Sequence, residues 1–280
     1  MFKIVAKEKL SDVIYRTVVE APKIARKRKA GQFVVVKIDE QGERIPLTIS
    51  DADPEAGTIS IVFQTVGYTT KQLSTLKAGD HILDIAGPLG HPTPVKNYGT
   101  VVSIGGGLGT ALGRPITEAL YKAGNHVIAI ISARNKSLVM FEEEMRKISH
   151  ELLIATDDGS AGFKGFPTQL LQKLIDEGRK IDLVVCVGPV PLMAAVSKVT
   201  KPYGLKTIVS LNPIMVDATG MCGACRVTVG GVTRFGCVDG PEFDGHQVDY
   251  DELMKRLKTY TEREQDMNQR FASQFQEVKR

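Results

Sequence analysis

The chain has 280 residues, of which 42% are hydrophobic and 24% are charged. This length and composition predict about two domains with buried cores, and they exclude the disordered, collagen-like and disulfide-stapled classes. The net charge of +4 is spread along the chain, which does not favour nucleic acid as a partner. No uncharged apolar run reaches the roughly 18 residues of a membrane span. Because charged residues interrupt the first ten positions, we expect a cytoplasmic protein without a secretion signal or a membrane anchor.

The first predicted region, residues 1–95, consists of short β-branched segments separated by turn residues. Such spacing is typical of a small antiparallel β-barrel. The predicted strands are Lys3–Ala6, Val13–Glu20, Gln32–Ile38, Arg44–Ser50, Thr58–Thr65 and His81–Ile85. A short helix is predicted over Thr69–Leu76.

The second predicted region, residues 96–210, alternates apolar runs with helical spacing. The predicted strands are Thr100–Ile104, His126–Ile131, Leu152–Ala155 and Leu183–Val187, and the predicted helices are Thr110–Ala123 and Phe141–Ile148. This order indicates a parallel α/β sheet with crossover helices. The fold class is therefore α/β plus all-β, with a barrel followed by a parallel α/β domain.

Two smaller pieces follow. Residues 211–247 are rich in glycine and contain three of the four cysteines, and residues 248–280 form a charged helical tail. The tail has too few apolar positions for a core of its own. We therefore expect it to lie against another subunit or to fold back over the domains.

Glycines stand where the first strand of the α/β region ends and its first helix begins. The residues at this turn are Gly105, Gly106, Gly107, Gly109 and Thr110. Bare backbone N–H groups at a helix N-terminus bind phosphate, although the spacing departs from G-x-G-x-x-G and also suits a tight β-α turn. No acidic residue stands about 20 positions further on; Arg134 lies there instead.

A second strand-to-helix turn contains Gly188, Pro189 and Met193. Two such turns at neighbouring strand ends form a crevice of the kind that holds a dinucleotide, and the alternative is a purely structural Gly-Pro turn. Cys186, inside the preceding strand, is interpreted as a small buried apolar residue.

The most informative feature is the spacing Asp217-x4-Cys222-x2-Cys225-x11-Cys237. It matches the plant-type spacing of [2Fe–2S] ligands, with an acidic residue in the first position. Small residues between the cysteines let backbone N–H groups turn toward cluster sulfides. Three hypotheses stay open: a [2Fe–2S] cluster held by the three thiolates and Asp217, a zinc site with the same ligands, and a Cys222–Cys225 redox disulfide. Asp217 is also suited to a turn or a helix cap.

Several motifs in one order resemble the ferredoxin–NAD(P)⁺ reductase superfamily over residues 1 to about 210. They are Arg44-Ile45-Pro46-Leu47-Thr48-Ile49, Gly67-Tyr68-Thr69-Thr70, the glycine loop, Thr156-Asp157-Asp158-Gly159-Ser160 and Val187-Gly188-Pro189. The resemblance implies FAD on the barrel, held by Arg44, Pro46, Leu47, Thr48, Gly67, Thr69 and Thr70. An arginine offers a fork of donors to phosphate, and a threonine hydroxyl reaches flavin N5 or O4. The resemblance also implies a nicotinamide nucleotide at the two glycine turns, with Arg134, Asp157, Asp158 and Met193 among the candidate contacts.

The cysteine region looks like the cluster domain of the dihydroorotate dehydrogenase electron-transfer subunits, which carry cysteine at all four positions. Asp217 departs from that pattern. The aspartate, with the stretch Phe235–Gly245, resembles the small-subunit family of NADH-dependent reduced ferredoxin:NADP⁺ oxidoreductases, also named sulfide dehydrogenases. That resemblance implies a heterodimer with a larger subunit holding another FAD and [4Fe–4S] clusters. It further implies ferredoxin as a partner of the complex, electron bifurcation, and NAD(H) as the substrate of this chain.

Three questions stay open from the sequence. NADP(H) remains an alternative substrate because Arg134 suits a 2′-phosphate. The chain is alternatively the electron-transfer subunit of an NAD-dependent dihydroorotate dehydrogenase. A third hypothesis, from another class, is a zinc-stabilised nucleotide-binding regulator without redox activity. No acid or base residue is predicted, since hydride transfer between stacked rings requires positioning alone.

Overall fold

The computed structural model describes the backbone of residues 1–277 and the side chains of residues 1–270, so the last three residues of the predicted tail lie outside it. The strands are β1 Phe2–Lys9, β2 Ile14–Glu20, β3 Phe33–Lys37, β4 Arg44–Asp53, β5 Thr58–Gln64, β6 His81–Ile82, β7 Asp84–Leu89, β8 Thr100–Gly106, β9 His126–Ala133, β10 Glu151–Thr156, β11 Phe163–Lys164, β12 Leu183–Val187, β13 Thr207–Ser210, β14 Arg226–Val229, β15 Val232–Phe235 and β16 Glu242–Asp244. The α-helices are α1 Pro22–Lys27, α2 Tyr68–Thr75, α3 Gly109–Lys122, α4 Glu142–Lys147, α5 Pro167–Asp176, α6 Val190–Thr200, α7 Tyr250–Leu257 and α8 Thr261–Glu277.

The first seven strands form one antiparallel sheet in the order β6-β1-β2-β5-β4-β3-β7. In β5, alternate residues Ile59, Ile61 and Phe63 are buried in the core of this sheet, as the two-residue period of a strand requires. The predicted antiparallel barrel is confirmed. Its last predicted strand is divided into β6 and β7, and β7 continues to Leu89.

The second sheet has the order β11-β10-β9-β8-β12-β13-β16. All of its pairs are parallel except that between β13 and β16. Every residue of β12 is buried, as expected for a central parallel strand covered by helices on both faces. The predicted parallel α/β domain is therefore confirmed, and β8 and β12 lie side by side with Gly105 opposite Val187.

The cysteine-bearing region joins both sheets. Strands β14 and β15 form a hairpin whose connecting residues, Gly230 and Gly231, have φ of 61° and 76°. Two positive φ angles in succession suit a tight two-residue turn, which explains the glycine pair. Strand β16 then returns to the edge of the α/β sheet beside β13. Cys225 and Cys237 pack against Phe33 and Val35 of β3 in the barrel, and Val227 of the hairpin is buried in the core of the α/β domain.

The tail folds back over the domains, which was one of the two expected arrangements. Leu253 of α7 is buried in the core beneath α6. Helix α8 lies beside α2, where Lys71 Nζ donates to Asn268 Oδ1 at 2.8 Å. Asn268 Nδ2 in turn lies 3.5 Å from Val66 O. Across residues 1–277, no helix has the length and the apolar character that crossing a membrane demands.

Arg114 joins the barrel to the α/β domain. This residue of α3 donates from Nη2 to the Ser50 carbonyl at 2.8 Å and pairs with the Asp51 carboxylate at 2.9 Å. Its other terminal nitrogen lies 3.6 Å from Glu118. Because Ser50 and Asp51 belong to β4 and Arg114 follows the glycine turn, the ion pair fixes the two predicted binding regions relative to each other.

Candidate functional site

The predicted flavin strand is the half-buried first part of β4, which includes Arg44, Pro46, Leu47 and Thr48. The Arg44 Nη1 atom lies 3.7 Å from Asp84 Oδ2, while its Nε is buried and has no hydrogen-bond partner. Buried donors are almost always paired in folded proteins. This unpaired N–H therefore fits a bound group that supplies an acceptor oxygen, such as the carbonyl or phosphate oxygens of FAD.

The predicted pyrophosphate contacts lie at the start of α2. The Gly67 N–H donates to the Thr70 hydroxyl at 3.1 Å, and that hydroxyl donates to the Gly67 carbonyl at 3.0 Å. Thr70 thus closes the first turn of the helix, and Thr69 is buried. A side chain at Gly67 would meet no atom within 4 Å, so the approach to the helix N-terminus is open. Free N–H groups at such an end suit a phosphate.

The two predicted nucleotide turns lie against each other. A Cβ on Gly106 would come within 2.4 Å of Leu192 Cδ2, and one on Gly109 would come within 2.2 Å of the Val187 carbonyl. Gly105 and Gly188 are equally confined, at 2.7 Å from Thr110 Cα and 2.9 Å from Leu192 Cδ2. Backbone crowding thus requires glycine at Gly105 and Gly109, whereas a Cβ on Gly106 or Gly188 would require the Leu192 side chain to move. The turns form the expected crevice at the carboxyl ends of β8 and β12.

Gly107 differs from the other glycines of this loop. Its φ is 55°, and nothing lies within 4 Å of the place where a side chain would stand. Its N–H donates to the Ser132 carbonyl at 2.8 Å, so that the open face of the residue points away from β9. A ligand can therefore approach the backbone here without displacing any side chain.

The remaining nucleotide candidates divide into an exposed group and a buried residue. Arg134, Asp157 and Asp158 are exposed at the carboxyl ends of β9 and β10, where the Asp158 N–H lies 3.3 Å from the Arg134 carbonyl. Hydrogen bonds from the Ser160 hydroxyl and N–H lower the pKa of Asp158. Pro189 precedes α6 at the second turn. Met193 is fully buried in the core, where it supports this turn from beneath.

Cys225 and Cys237 are buried with their sulfur atoms 3.2 Å apart, whereas Cys222 is exposed. All four cysteines are free thiols, so the Cys222–Cys225 disulfide is not formed. Burial and the hydrogen bond from the Cys225 thiol raise the pKa of Cys237. By contrast, backbone N–H groups, that of Ala224 first among them, lower the pKa of Cys222. Buried Cys186 has a raised pKa and belongs to the core, as interpreted from the sequence.

Asp217 stands at the mouth of the cysteine loop. Its carboxylate accepts hydrogen bonds from the Thr219 N–H at 3.0 Å and from the Thr219 hydroxyl, and these bonds lower its pKa. The nearby Arg44 charge lowers the pKa further, so the flavin strand lies close to the cysteine loop. The negative charge of Asp217 also acts on Cys222, where it partly opposes the lowering of the Cys222 pKa by the backbone N–H groups. Asp217 therefore shapes a turn and faces a predicted ligand.

The loop fits a negatively charged cluster through its backbone. N–H groups of Thr219 and Met221 point at Asp217, that of Gly220 at Cys237 and that of Ala224 at Cys222. Donors aimed at carboxylate and sulfur stabilise the deprotonated ligands that iron requires. With the side chains placed as they are, no three His, Cys, Asp or Glu residues in the described part of the chain converge on one metal position.

Sequence reasoning missed two arginines beside the cysteine loop. Arg226 Nη1 donates to the Gly223 carbonyl at 2.8 Å, and Arg256 Nη2 donates to the Ala224 carbonyl at 3.1 Å. Arg226 directly follows Cys225, so its position in sequence was a usable signal. Arg256 lies in the charged tail, where no pattern distinguishes it from its neighbours.

Comparison with known proteins identifies the family. The family model for the iron-sulfur cluster binding domain of dihydroorotate dehydrogenase B matches residues 212–249. The dihydroorotate dehydrogenase B (NAD(+)) electron transfer subunit homolog of Thermotoga maritima is 47% identical over 269 residues, which are 96% of this chain and 95% of that protein. The chain belongs to the family of dihydroorotate dehydrogenase B electron transfer subunits and their homologues. An uncharacterized protein of Clostridium beijerinckii, from the adh 3′ region, is 48% identical over 93% of this chain and 90% of its own length.

Two solved structures are similar to this chain. A chain of the NADH-dependent reduced ferredoxin-NADP oxidoreductase, solved for insight into flavin-based electron bifurcation, matches with a TM-score of 0.93 and 46% identity over 97% of this chain and 98% of that one. A Neisseria gonorrhoeae ferredoxin NADP⁺ reductase shares the fold, with a TM-score of 0.60 and 18% identity over 72% of this chain and 90% of that one. The superfamily and subunit resemblances drawn from the sequence are confirmed, as is the expected iron-sulfur domain.

Proposed function

We propose that this chain is the FAD- and [2Fe–2S]-containing subunit of an electron-bifurcating NADH-dependent reduced ferredoxin:NADP⁺ oxidoreductase. In this role it exchanges a hydride with NAD(H) and single electrons with a larger subunit that holds another FAD and [4Fe–4S] clusters. The observation that carries the proposal is the TM-score of 0.93 over 97% of the chain with an oxidoreductase of that type. In this proposal, ferredoxin exchanges electrons with the complex that contains this chain, and the complex is cytoplasmic.

In this proposal the barrel, residues 1–95, holds FAD. Arg44 supplies an unpaired buried donor, and Pro46, Leu47 and Thr48 continue the same strand. Gly67, Thr69 and Thr70 form the open helix end that suits the pyrophosphate. Bound flavin supplies the exchange between two-electron hydride chemistry and one-electron transfer. The side chains described here orient it and exclude water from one face.

Residues 96–210 hold the nicotinamide nucleotide in the same proposal. The proposed contacts are the two glycine turns with Thr110 and Pro189, and the exposed group Arg134, Asp157 and Asp158. Met193 is buried in the core at the second turn. The space beside Gly107 is open to a ligand, and Arg114 joins this domain to β4. Since positioning suffices for hydride transfer, no residue is assigned as an acid or base. NAD(H) is the proposed substrate, and the exposed carboxylates beside Arg134 disfavour an additional 2′-phosphate.

Residues 211–247 hold the iron-sulfur cluster through Cys222, Cys225, Cys237 and Asp217, and helices α7 and α8 follow them. The backbone N–H groups around these ligands stabilise their negative charge. Cys225 and Cys237 pack against Phe33 and Val35 of the barrel, a position that suits one-electron transfer to and from the flavin.

Anaerobic purification of the tagged chain from its own host tests the proposal. We expect a larger iron-containing flavoprotein to copurify, and this chain to account for about two iron atoms, two sulfides and one FAD beyond those of the larger protein. The purified complex should oxidise NADPH only when NAD⁺ and ferredoxin are both present. A protein that contains zinc and neither iron nor flavin would contradict the proposal and favour the regulator.

A second candidate function is favoured by the similarity to the dihydroorotate dehydrogenase B electron transfer subunit homolog. In that case a dihydroorotate-oxidising flavoprotein would copurify. The complex would then reduce NAD⁺ with dihydroorotate and would not require ferredoxin.

A further inference from the structure

The peptide groups between Cys222 and Cys225 are held from outside by two guanidinium groups. The Gly223 carbonyl accepts from Arg226 Nη1 at 2.8 Å, and the Ala224 carbonyl accepts from Arg256 Nη2 at 3.1 Å. Gly223 has φ of 63°, in the left-handed region that favours glycine. Arg226 is the first residue of β14 and Arg256 lies on α7, so two separate elements form hydrogen bonds to the same short segment.

One of these peptide groups connects an arginine to a proposed ligand. The Gly223 carbonyl and the Ala224 N–H belong to the same amide, and that N–H faces the Cys222 thiol. The guanidinium and the sulfur are therefore bound to opposite ends of a single peptide dipole. A charge-assisted bond to the carbonyl polarises the amide and strengthens its N–H as a donor.

Neither of these arginines forms an ion pair with a residue that the structure describes. Within the described part of the chain, neither Arg226 nor Arg256 lies within 4.0 Å of a carboxylate. Arg114 and Arg179, in contrast, each pair with a carboxylate. The positive charges of Arg226 and Arg256 therefore act on the loop itself.

We infer that Arg226 and Arg256 are positioning residues for the iron-sulfur site, which raise the reduction potential of the cluster and slow its loss. Arg226 acts through the Gly223–Ala224 peptide on the Cys222 sulfur, and Arg256 fixes the following peptide, which leads into Cys225. Reduction adds a negative charge to the cluster, and stronger donors with nearby positive charge stabilise that state. The inference rests on the proposed function, because it takes these cysteines as cluster ligands.

The test compares Arg226→Gln and Arg256→Gln in the full chain with Arg234→Gln and Lys255→Gln. Arg234 is an exposed arginine of the same hairpin, and Lys255 is an exposed cation beside Arg256 on α7. Two measurements are made on each anaerobically purified protein: the cluster midpoint potential by EPR-monitored titration, and the rate of iron release to a chelator. We expect the one-electron reduction constant to fall about tenfold in each arginine variant, which is about 59 mV, with faster iron release.

Lysine variants separate positioning from general damage to the fold. Arg226→Lys and Arg256→Lys keep a charged donor, so they should recover most of the potential and of the iron retention. Glutamine variants whose potential and iron release equal those of Arg234→Gln and Lys255→Gln would overturn the inference. Lysine variants that lose iron as fast as the glutamine variants would also overturn it. The absence of iron and sulfide from the unmodified chain would instead refute the proposed function, so the two failures are distinct.

Discussion

At the scale of single residues, Asp217 combines a turn with a proposed ligand role. Its carboxylate holds the Thr219 backbone and hydroxyl, and its charge reaches Cys222. Oxygen is a harder ligand than sulfur and binds iron less covalently. We therefore expect Asp217→Cys to keep a two-iron cluster with a changed EPR spectrum and a changed potential.

The matched control for this change is Asp12→Cys, which places a new thiol on an aspartate whose side chain is 98% exposed. Any effect of an added surface cysteine should appear in both variants. A change in the cluster ligands should appear only in Asp217→Cys. An EPR spectrum of Asp217→Cys identical to that of the unmodified chain would remove Asp217 from the set of ligands.

Single residues also show which assignments could be made from local sequence and which could not. The cysteine spacing spans only residues 217–237, so local sequence was sufficient to identify it. Met193 was interpreted as a nucleotide contact, but buried Val190, Met193, Ser197 and Thr200 share one helical face of α6. That three-to-four-residue spacing indicates a core position and could have been recognised. Arg256 could not have been found, because its contact with Ala224 joins residues 32 positions apart.

At the scale of elements, α8 covers α2. Its Asn268 contacts Lys71 and the Val66 carbonyl, directly before the proposed pyrophosphate site at Gly67. If α8 steadies that helix end, ending the chain after Tyr260 should weaken FAD binding several-fold, since each lost hydrogen bond is worth about 1 kcal/mol. The measurement is the rate at which FAD fluorescence appears after dilution of the purified protein.

Asn268→Ala is the matched variant for this truncation, because it removes the same hydrogen bonds and keeps the helix. It should release FAD at a rate between those of the full and the shortened chain. Equal release from all three proteins would show that α8 has no part in holding α2.

Elements with continuous apolar sequence were predictable, and those that depend on distant partners were not. The predicted strand Leu183–Val187 agrees with β12 at both ends, because a fully buried parallel strand is apolar throughout. Strand β16 has three residues, Glu242–Asp244, and exists through its pairing with β13. Nothing in so short a polar segment indicates a strand.

At the scale of the whole molecule, Glu242 lies at the junction of the barrel and the α/β sheet. Its Oε1 accepts from the Thr93 hydroxyl, its Oε2 is buried without a partner, and burial raises its pKa to about 7. Because the folded-state pKa is raised, the protonated carboxyl is favoured by folding. Its stabilising contribution is complete below the ordinary value of 4.5 and is lost as the pH rises through about 7.

Glu242→Gln should therefore match the unmodified protein in thermal stability near pH 5 and exceed it at pH 8. The expected difference in the free energy of unfolding is at most about 3 kcal/mol. The check is the thermal unfolding midpoint of both proteins across this range. A difference that does not change with pH would show that Glu242 does not titrate at the junction.

The path of the chain brings its final described helix onto a segment from its first quarter. The barrel leaves the ribosome well before Thr261–Glu277, and domains generally fold in the order of synthesis. The nascent barrel therefore lacks the α8 contact with α2 until α8 has been translated. We expect flavin bound during this interval to dissociate faster than flavin bound after α8 has packed beside α2.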